Sequence, residues 1–292
     1  MRILHLDGGK ELRGGQRQVL RLMEGLAAGG VESALLARKG APLFRAAQEK
    51  GWHVEPLGVA HTIFAAHKYD LLHAHDGHGH KFGSLAAGNK LVVSRRVAFP
   101  VRSRIKYSRA RHFLAVSEFV KSVLQAGGVP EEKISVVYDG VPLLEPSEGT
   151  LVMAPASNDE QKGTVLALEA ARLAGVDLKL SSDLERQLHE AALFVYLTYS
   201  EGLGSGALLA MSAGLPVIAS KVGGLPEVIQ HGRNGFLVEN DAQEIAGAIR
   251  QLLADGKLAQ RLGAAARQTV REKFTVDHMV RRTMEIYRRV LS

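Results

Sequence analysis

Glu201-Gly202-Leu203-Gly204-Ser205-Gly206-Ala207-Leu208-Leu209-Ala210-Met211-Ser212-Ala213-Gly214-Leu215-Pro216-Val217-Ile218-Ala219-Ser220 is the stretch that decides the fold class. Just before it, Leu193-Phe194-Val195-Tyr196-Leu197 is a short apolar run rich in β-branched and aromatic residues, which predicts a buried strand. Ala207–Ala213 predicts a helix, with Gly214 as its stop and Pro216 opening the next strand. The order is strand, glycine turn, helix, strand. In open α/β sheets, ligands bind beyond the carboxyl ends of the strands, where a helix N-terminus offers N–H groups to anions. Glu201 stands at that point, and Gly202 and Gly204 let backbone amides approach a ligand. Spacing alone also fits a tight turn with no ligand.

Composition narrows the class. The chain has 292 residues, enough for two α/β domains with their own cores, and 46% of them are hydrophobic. It has no cysteine, so neither disulfides nor thiolate chemistry is available. Arg2-Ile3-Leu4-His5-Leu6 predicts a first strand rather than a secretory segment, and no apolar run approaches the length of a membrane span. The expected location is cytoplasmic, including the inner face of a membrane. A formal charge of +7 favours an anionic partner. With no zinc finger, no RNP-like strand and no block of like charges, nucleic acid is not the expected one.

The first half alternates strands and helices. After strand 2–6, Asp7-Gly8-Gly9-Lys10-Glu11-Leu12-Arg13-Gly14-Gly15 leads into a helix with Val19, Leu22, Met23 and Leu26 on one face. Strands are predicted at 33–37, 53–57, 70–76, 90–94, 111–116 and 135–139, with a short helix around Phe44, Ala47 and Gln48. His73, His75, His78 and His80 fall within eight residues. A metal site is the sharp reading of that cluster. Gly77 and Gly79 make a loop of the segment, so we read the other histidines as polar loop groups, keep His75 as the candidate, and expect no metal. Arg95 and Arg96 close a strand and offer bidentate forks to a phosphate or carboxylate; a solvated basic loop is the alternative. Arg102, Arg104, Lys106, Arg109 and Arg111 extend the positive surface towards an anionic lipid or a phosphorylated glycan. Ser117 is read as a helix N-cap.

A linker rich in Pro, Glu and Ser runs from Asp139 to about Gly149. We place domains at 1–142 and 143–275, with a last helix at 276–292. The second domain opens with strand 150–154, a loop carrying Ser157 and Lys162, and a helix over 164–173. Strand 176–181 follows, with Ser182 read as the cap of a helix over Leu184, Leu188 and Ala191. The last helix carries Val276, Met279, Val280, Thr283, Ile286, Tyr287, Val290 and Leu291 on one face and Arg281, Arg282, Arg288 and Arg289 on the other. That stripe predicts packing; a basic amphipathic helix lying on a membrane is the alternative.

The glycine turn, Pro216-Val217-Ile218-Ala219-Ser220, Gly223-Gly224-Leu225-Pro226-Glu227-Val228-Ile229 and Gly232-Arg233-Asn234-Gly235-Phe236-Leu237-Val238 together resemble the C-terminal signature of the retaining glycosyltransferases of family 4. Asp70-Leu71-Leu72-His73-Ala74-His75 and Val116-Ser117-Glu118 are similar to segments of the family's first domain. The resemblance implies the GT-B fold: two Rossmann-like α/β domains facing across a cleft, the last helix crossing back to the first. It implies metal-independent transfer of a sugar, with retention, from a nucleotide-diphosphate sugar to a glycan or lipid-linked acceptor, as in cell-envelope polysaccharide synthesis, with peripheral membrane contact open to it and no cofactor.

The resemblance also implies residue roles. Glu201 aligns with the first glutamate of the Glu-x7-Glu motif, at the donor sugar. Gly202, Leu203 and Gly204 align with the amides that contact sugar and diphosphate, and Ser205 starts the helix aimed at them. Lys162 matches the diphosphate lysine, and Gly14 and Gly15 match the first glycine loop. Arg95, Arg96 and His75 would face the acceptor or the reacting centre. Three positions depart from the pattern. Leu209 replaces the second glutamate, which holds the ribose. Ser157 stands near the place of a diphosphate arginine. A base-binding passage after Ser181 is missing. These departures favour the competing reading, a degenerate GT-B protein that binds a glycan, lipid or partner without turnover.

Overall fold

A computed structural model describes residues 1–87 and 89–292, with Arg104 described by its backbone alone. The chain divides into two compact units. The first holds Met1–Gly140 together with Val276–Ser292, the second Val141–Thr275.

In chain order the first unit contains β1 (Arg2–Asp7), α1 (Gly14–Ala28), β2 (Glu32–Ala37), α2 (Pro42–Glu49), β3 (Val54–Pro56), α3 (Val59–Ala66) and β4 (Leu71–Ala74). It continues with α4 (Gly77–Ala86), β5 (Leu91–Arg95), α5 (Arg104–Ser108), β6 (His112–Ala115), α6 (Glu118–Ala126) and β7 (Ile134–Val136). The second contains β8 (Leu151–Pro155), α7 (Thr164–Ala174), β9 (Leu178–Ser181), α8 (Leu184–Gln187), β10 (Ala191–Tyr196) and α9 (Ser205–Ser212). After them come β11 (Val217–Ser220), α10 (Leu225–Val228), β12 (Phe236–Val238), α11 (Ala242–Ala254) and α12 (Gly256–Lys273). The last helix, α13 (Val276–Leu291), returns to the first unit.

The first sheet has seven strands in the order β3-β2-β1-β4-β5-β6-β7, the second five in the order β12-β11-β10-β8-β9. Every described pairing is parallel. Parallel sheets need cover on both faces, which is why their strands read as continuous apolar runs such as Leu91-Val92-Val93. The expected class, two α/β Rossmann-like units, is therefore what the chain forms. The last helix also packs as the apolar stripe predicts. Met279, Ile286 and Tyr287 join Ile3, Leu22, Leu71, Val92 and Leu114 in one core cluster. Arg289, from the polar face, donates to Ser135 Oγ at 2.7 Å and lies 3.0 Å from His112 Nε2. Leu291, placed on the apolar face by sequence, is exposed at the fraying end.

Two local expectations are corrected. Gly77–Ala86 is a helix, not a loop: Asp76 caps it, accepting the Gly79 N–H at 2.7 Å, and Gly79 and Gly83 fit where the helix lies against Leu6 and Leu91. The helix predicted from Ser182 over Leu184, Leu188 and Ala191 is α8, entered from Asp183 and followed by a 3-10 turn at Leu188–Glu190, and Ala191 begins β10. Buried strand pairing with β8 outweighs the helical spacing of Leu184, Leu188 and Ala191.

Candidate functional site

In the second unit, β10 ends at Tyr196 and the chain turns through the glycines into α9. Glu201 sits in this turn with its side chain 14% exposed. Lys162 Nζ lies 2.9 Å from Glu201 Oε2, and the Tyr196 hydroxyl donates to the same oxygen at 2.7 Å. The Gly202 N–H donates to Oε1 at 3.1 Å, so that amide is engaged by Glu201 itself. Burial, then the negative charge of Glu201, holds the Tyr196 phenol well above its ordinary pKa and keeps it a donor. The carboxylate is thus fixed by three donors, and only Lys162, 34% exposed, retains solvent access of any size.

The surrounding loops explain that placement. Gln161 O accepts both Thr198 Oγ1–H and the Tyr199 N–H, each at 2.9 Å, which ties the Lys162 loop to the Glu201 loop. The Thr198 N–H donates to Ser220 Oγ at 3.0 Å, and Asn240 Nδ2 donates to Thr198 O at 3.0 Å. Gly223 has φ +57°, and a Cβ there would lie 1.9 Å from Glu201 O, so only glycine lets the next loop close on the turn. Gly204, at φ +105°, is the N-cap of α9 and supplies no side-chain acceptor of its own. Ser205 is the first residue of α9; Leu203 and Leu209 are buried, 2% and 6% exposed. Ser157 is a turn residue, its Oγ accepting the Asp159 N–H at 3.2 Å.

In the first unit the predicted residues split. Arg96 Nε donates to Asp139 Oδ1 at 3.0 Å, its NH1 lies 3.5 Å from His75 Nδ1, and its side chain passes beside Gly15 in the first turn of α1. Gly14 begins that helix. Arg95 turns elsewhere: its guanidinium donates to Phe99 O and lies over the Tyr107 ring, where burial lowers its pKa. It organises its own loop rather than joining Arg96. Of the basic stretch, the Arg104 side chain lies outside the described residues.

The histidines regroup as well. His5 and His73 are paired in register on β1 and β4, and His75 is two residues further along the same chain, so all three imidazoles share one face of the sheet. His5 Nδ1 is 2.9 Å from His75 Nε2; His73 Nδ1 is 2.5 Å from the Tyr287 hydroxyl and its Nε2 is 2.8 Å from Ser94 Oγ. His78 is exposed and His80 is buried in α4. Burial pushes His5 down to about 3; burial, then neighbouring imidazoles and Arg96, hold His73 and His75 well below 6.5.

His5, His73 and His75 are the one cluster of potential metal ligands among the described residues, their nitrogens within 4.8 Å of one another. The donor set suits a cation poorly. A guanidinium only donates, so His75 presents its lone pair to Arg96 and its N–H to His5. His73 spends both nitrogens on Tyr287 and Ser94, and no carboxylate belongs to the cluster.

Several residues were not singled out from sequence. Asp7, at the end of β1, accepts from the Gly9 N–H at 2.8 Å and from Gln16 Nε2 at 3.2 Å. Burial, then the charge of Asp76, pushes its carboxyl up to about 6. Tyr196 reads as one more apolar strand residue, and His5 as one more residue of β1; only the fold brings each to its partner. The legible signal for Asp139 was its position opening the linker.

The chain is similar to known proteins in sequence and in fold. Residues 12–143 match the family model described as Glycosyltransferase Family 4, and residues 151–269 match that described as Glycosyl transferases group 1. The chain is 40% identical over 110 residues to an alpha-maltose-1-phosphate synthase of Mycolicibacterium smegmatis, an alignment covering 35% of this chain and 28% of that one. It is 41% identical over 100 residues to an N-acetyl-alpha-D-glucosaminyl L-malate synthase of Bacillus anthracis, covering 34% and 26%. The matched part thus spans about a quarter of the length of these relatives. In fold, the chain superposes on Anabaena HepE, solved in complex with UDP, with a TM-score of 0.87 at 19% identity over 98% of this chain and 99% of that one. A sucrose-phosphate synthase from Thermosynechococcus elongatus gives 0.78 at 20% identity over 99% of each chain.

Proposed function

From a chain built of two glycosyltransferase-family domains in the GT-B fold, we propose an enzyme that transfers a sugar, with retention, from a nucleoside-diphosphate sugar to a glycan or lipid-linked acceptor. The observation that carries this reading is Lys162 and Glu201, paired at 2.9 Å where the β10 turn enters α9. A leaving diphosphate develops negative charge. A partly exposed lysine and a helix N-terminus are preorganised to meet it, and such stabilisation is the largest contribution in many enzymes. Glu201, already fixed by Tyr196 and Lys162, is an anion that cannot drift and suits the hydroxyls of a donor sugar. Arg96 with His75, within the first unit, is proposed for the acceptor. The chemistry is positioning and charge stabilisation by side chains and amides, and needs no cofactor.

The test is to incubate the chain with UDP-, GDP- and ADP-sugars and follow release of the nucleoside diphosphate, reading the anomeric configuration of any product by NMR. Release from one donor with retained configuration supports the reading. Leu209 favours a second one: the position that would hold the ribose is a buried apolar residue, which suits a protein that keeps the fold and binds without turnover. Binding of a nucleotide with no release from any conjugate would favour that alternative.

A further inference from the structure

The positive charge of the chain is concentrated in one segment. Residues 57–116 contain ten Lys and Arg against two Asp, a net charge of +8. The whole chain carries +7, so the other residues together carry −1. The two carboxylates of the segment are occupied with backbone: Asp70 accepts the Arg2 N–H at 2.8 Å, and Asp76 caps α4. Among the described residues, no carboxylate pairs with Lys68, Lys81, Arg102, Lys106, Arg109 or Arg111.

The fold gathers the helices of this segment into one layer, while Arg96 lies apart from it, paired with Asp139 beside His75. With right-handed crossovers, the connections β3 to β4, β4 to β5 and β5 to β6 all run the same way along the sheet, so α3, α4 and α5 cover one face. The contacts of α4 with both α3 and α5 agree. The helices α1, α2 and α13 cover the other face. The basic layer also keeps bulky apolar side chains in solvent. Phe64 on α3 and Ile105 on α5 are each 75% exposed, Phe99 in the loop before α5 is 61% exposed, and Leu85 on α4 is 52% exposed. Exposed apolar side chains on helices and loops this basic are the composition of a surface that meets both headgroups and acyl chains.

We propose that the α3–α5 layer is a docking surface for an anionic phospholipid bilayer. The cations lie against the headgroups while Phe64, Phe99 and Ile105 enter the acyl boundary, the division of labour of an interfacial membrane-binding surface. A purely polyanionic partner such as nucleic acid or an acidic polymer would use the cations and leave the aliphatic Ile105 without a role. The docking is peripheral, because no helix among the described residues is long and apolar enough to cross a membrane.

The experiment is co-sedimentation of the full chain with vesicles of phosphatidylcholine alone and of phosphatidylcholine with phosphatidylglycerol. We expect binding to the anionic vesicles only, falling as salt is raised because the Debye length shortens. The double variant Phe64→Asp, Ile105→Asp is expected to lower vesicle affinity at least about tenfold. Both sites are exposed, so its circular dichroism and melting temperature should match the parent. Equal behaviour with the two vesicle types, or anionic binding that the double variant leaves unchanged, would overturn the proposal. Binding to heparin that survives the double variant while vesicle binding is absent would make the layer a polyanion surface instead, and would equally overturn it.

Discussion

Lys162 Nζ stands 2.9 Å from Glu201 Oε2, although the two residues are 39 positions apart and lie on loops after different strands. The pair gives each partner a counter-charge before any ligand arrives. Glu201→Gln would keep the shape and remove the charge. If the carboxylate orients the donor sugar, this variant should lose about 10²–10³-fold in turnover, the range for a preorganised polar contact, with little change in melting temperature. Unchanged turnover would remove Glu201 from the site.

Tyr196 supplies the second grip on Glu201. Tyr196→Phe deletes a hydrogen bond to a charged group, worth about 1.5–3 kcal/mol. The expected result is about a tenfold or larger fall in kcat, with KM for the donor altered less, since the ring still packs beneath the turn beside Gly204 and Gly206. Steady-state kinetics at saturating donor checks this. Equal loss in Tyr196→Phe and in a distant core variant of matched stability would mean the hydroxyl only stabilises the fold.

The last helix is fastened to the first sheet through Tyr287 and His73, both fully buried. Tyr287→Phe should cost about 1–2 kcal/mol, because His73 Nδ1 loses its partner in a dry site. Tyr287→Ala should cost about 3–5 kcal/mol through the cavity it leaves. Denaturant unfolding measures both. A smaller loss for the alanine variant than for the phenylalanine variant would contradict the packing described.

The buried histidines set the response to acid. His80 and His112 are pushed down to about 4, by burial and then by Lys106 and Arg289 respectively, and His5 to about 3. The unfolded chain takes up protons at these residues near 6.5. Between about pH 6.5 and 4 the unfolded state therefore binds more protons, and stability falls as the pH drops. Asp7 acts the other way: its carboxyl, raised to about 6, binds a proton in the folded state where the unfolded one, at 3.8, has lost it. One such group offsets only part of the histidine effect. Calorimetry should show the melting temperature falling steadily from pH 7 to pH 5, and a flat profile would contradict the burial of these rings.

Much of this was legible because parallel strands and capped helices write themselves locally. The run Leu193–Leu197, the glycine turn and the α9 residues need no tertiary information, and Ser117 shows its cap by accepting the Val120 N–H at 3.0 Å. The opaque parts were those decided by contact. Three glycines and two histidines make Gly77–Ala86 a poor helix by propensity, yet the Asp76 cap and close packing on Leu6 and Leu91 fold it. Val59–Ala66 shows no clear helical period in the sequence, yet it forms α3. Arg95 and Arg96 are neighbours in sequence with different partners, Phe99 and Tyr107 for one, Asp139 and His75 for the other, because alternate strand residues point to opposite faces. Tyr196 lay in plain view and carried no sign of its bond to Glu201.

The measurement that bears most directly on the proposed donor site is calorimetric titration of the chain with UDP, GDP, ADP and their common sugar conjugates, repeated with Lys162→Ala. The proposed reading predicts saturable binding of one nucleotide class, weakened about tenfold or more when the lysine that meets the diphosphate is removed. Absence of binding to every nucleotide, or binding that Lys162→Ala leaves unchanged, would contradict it.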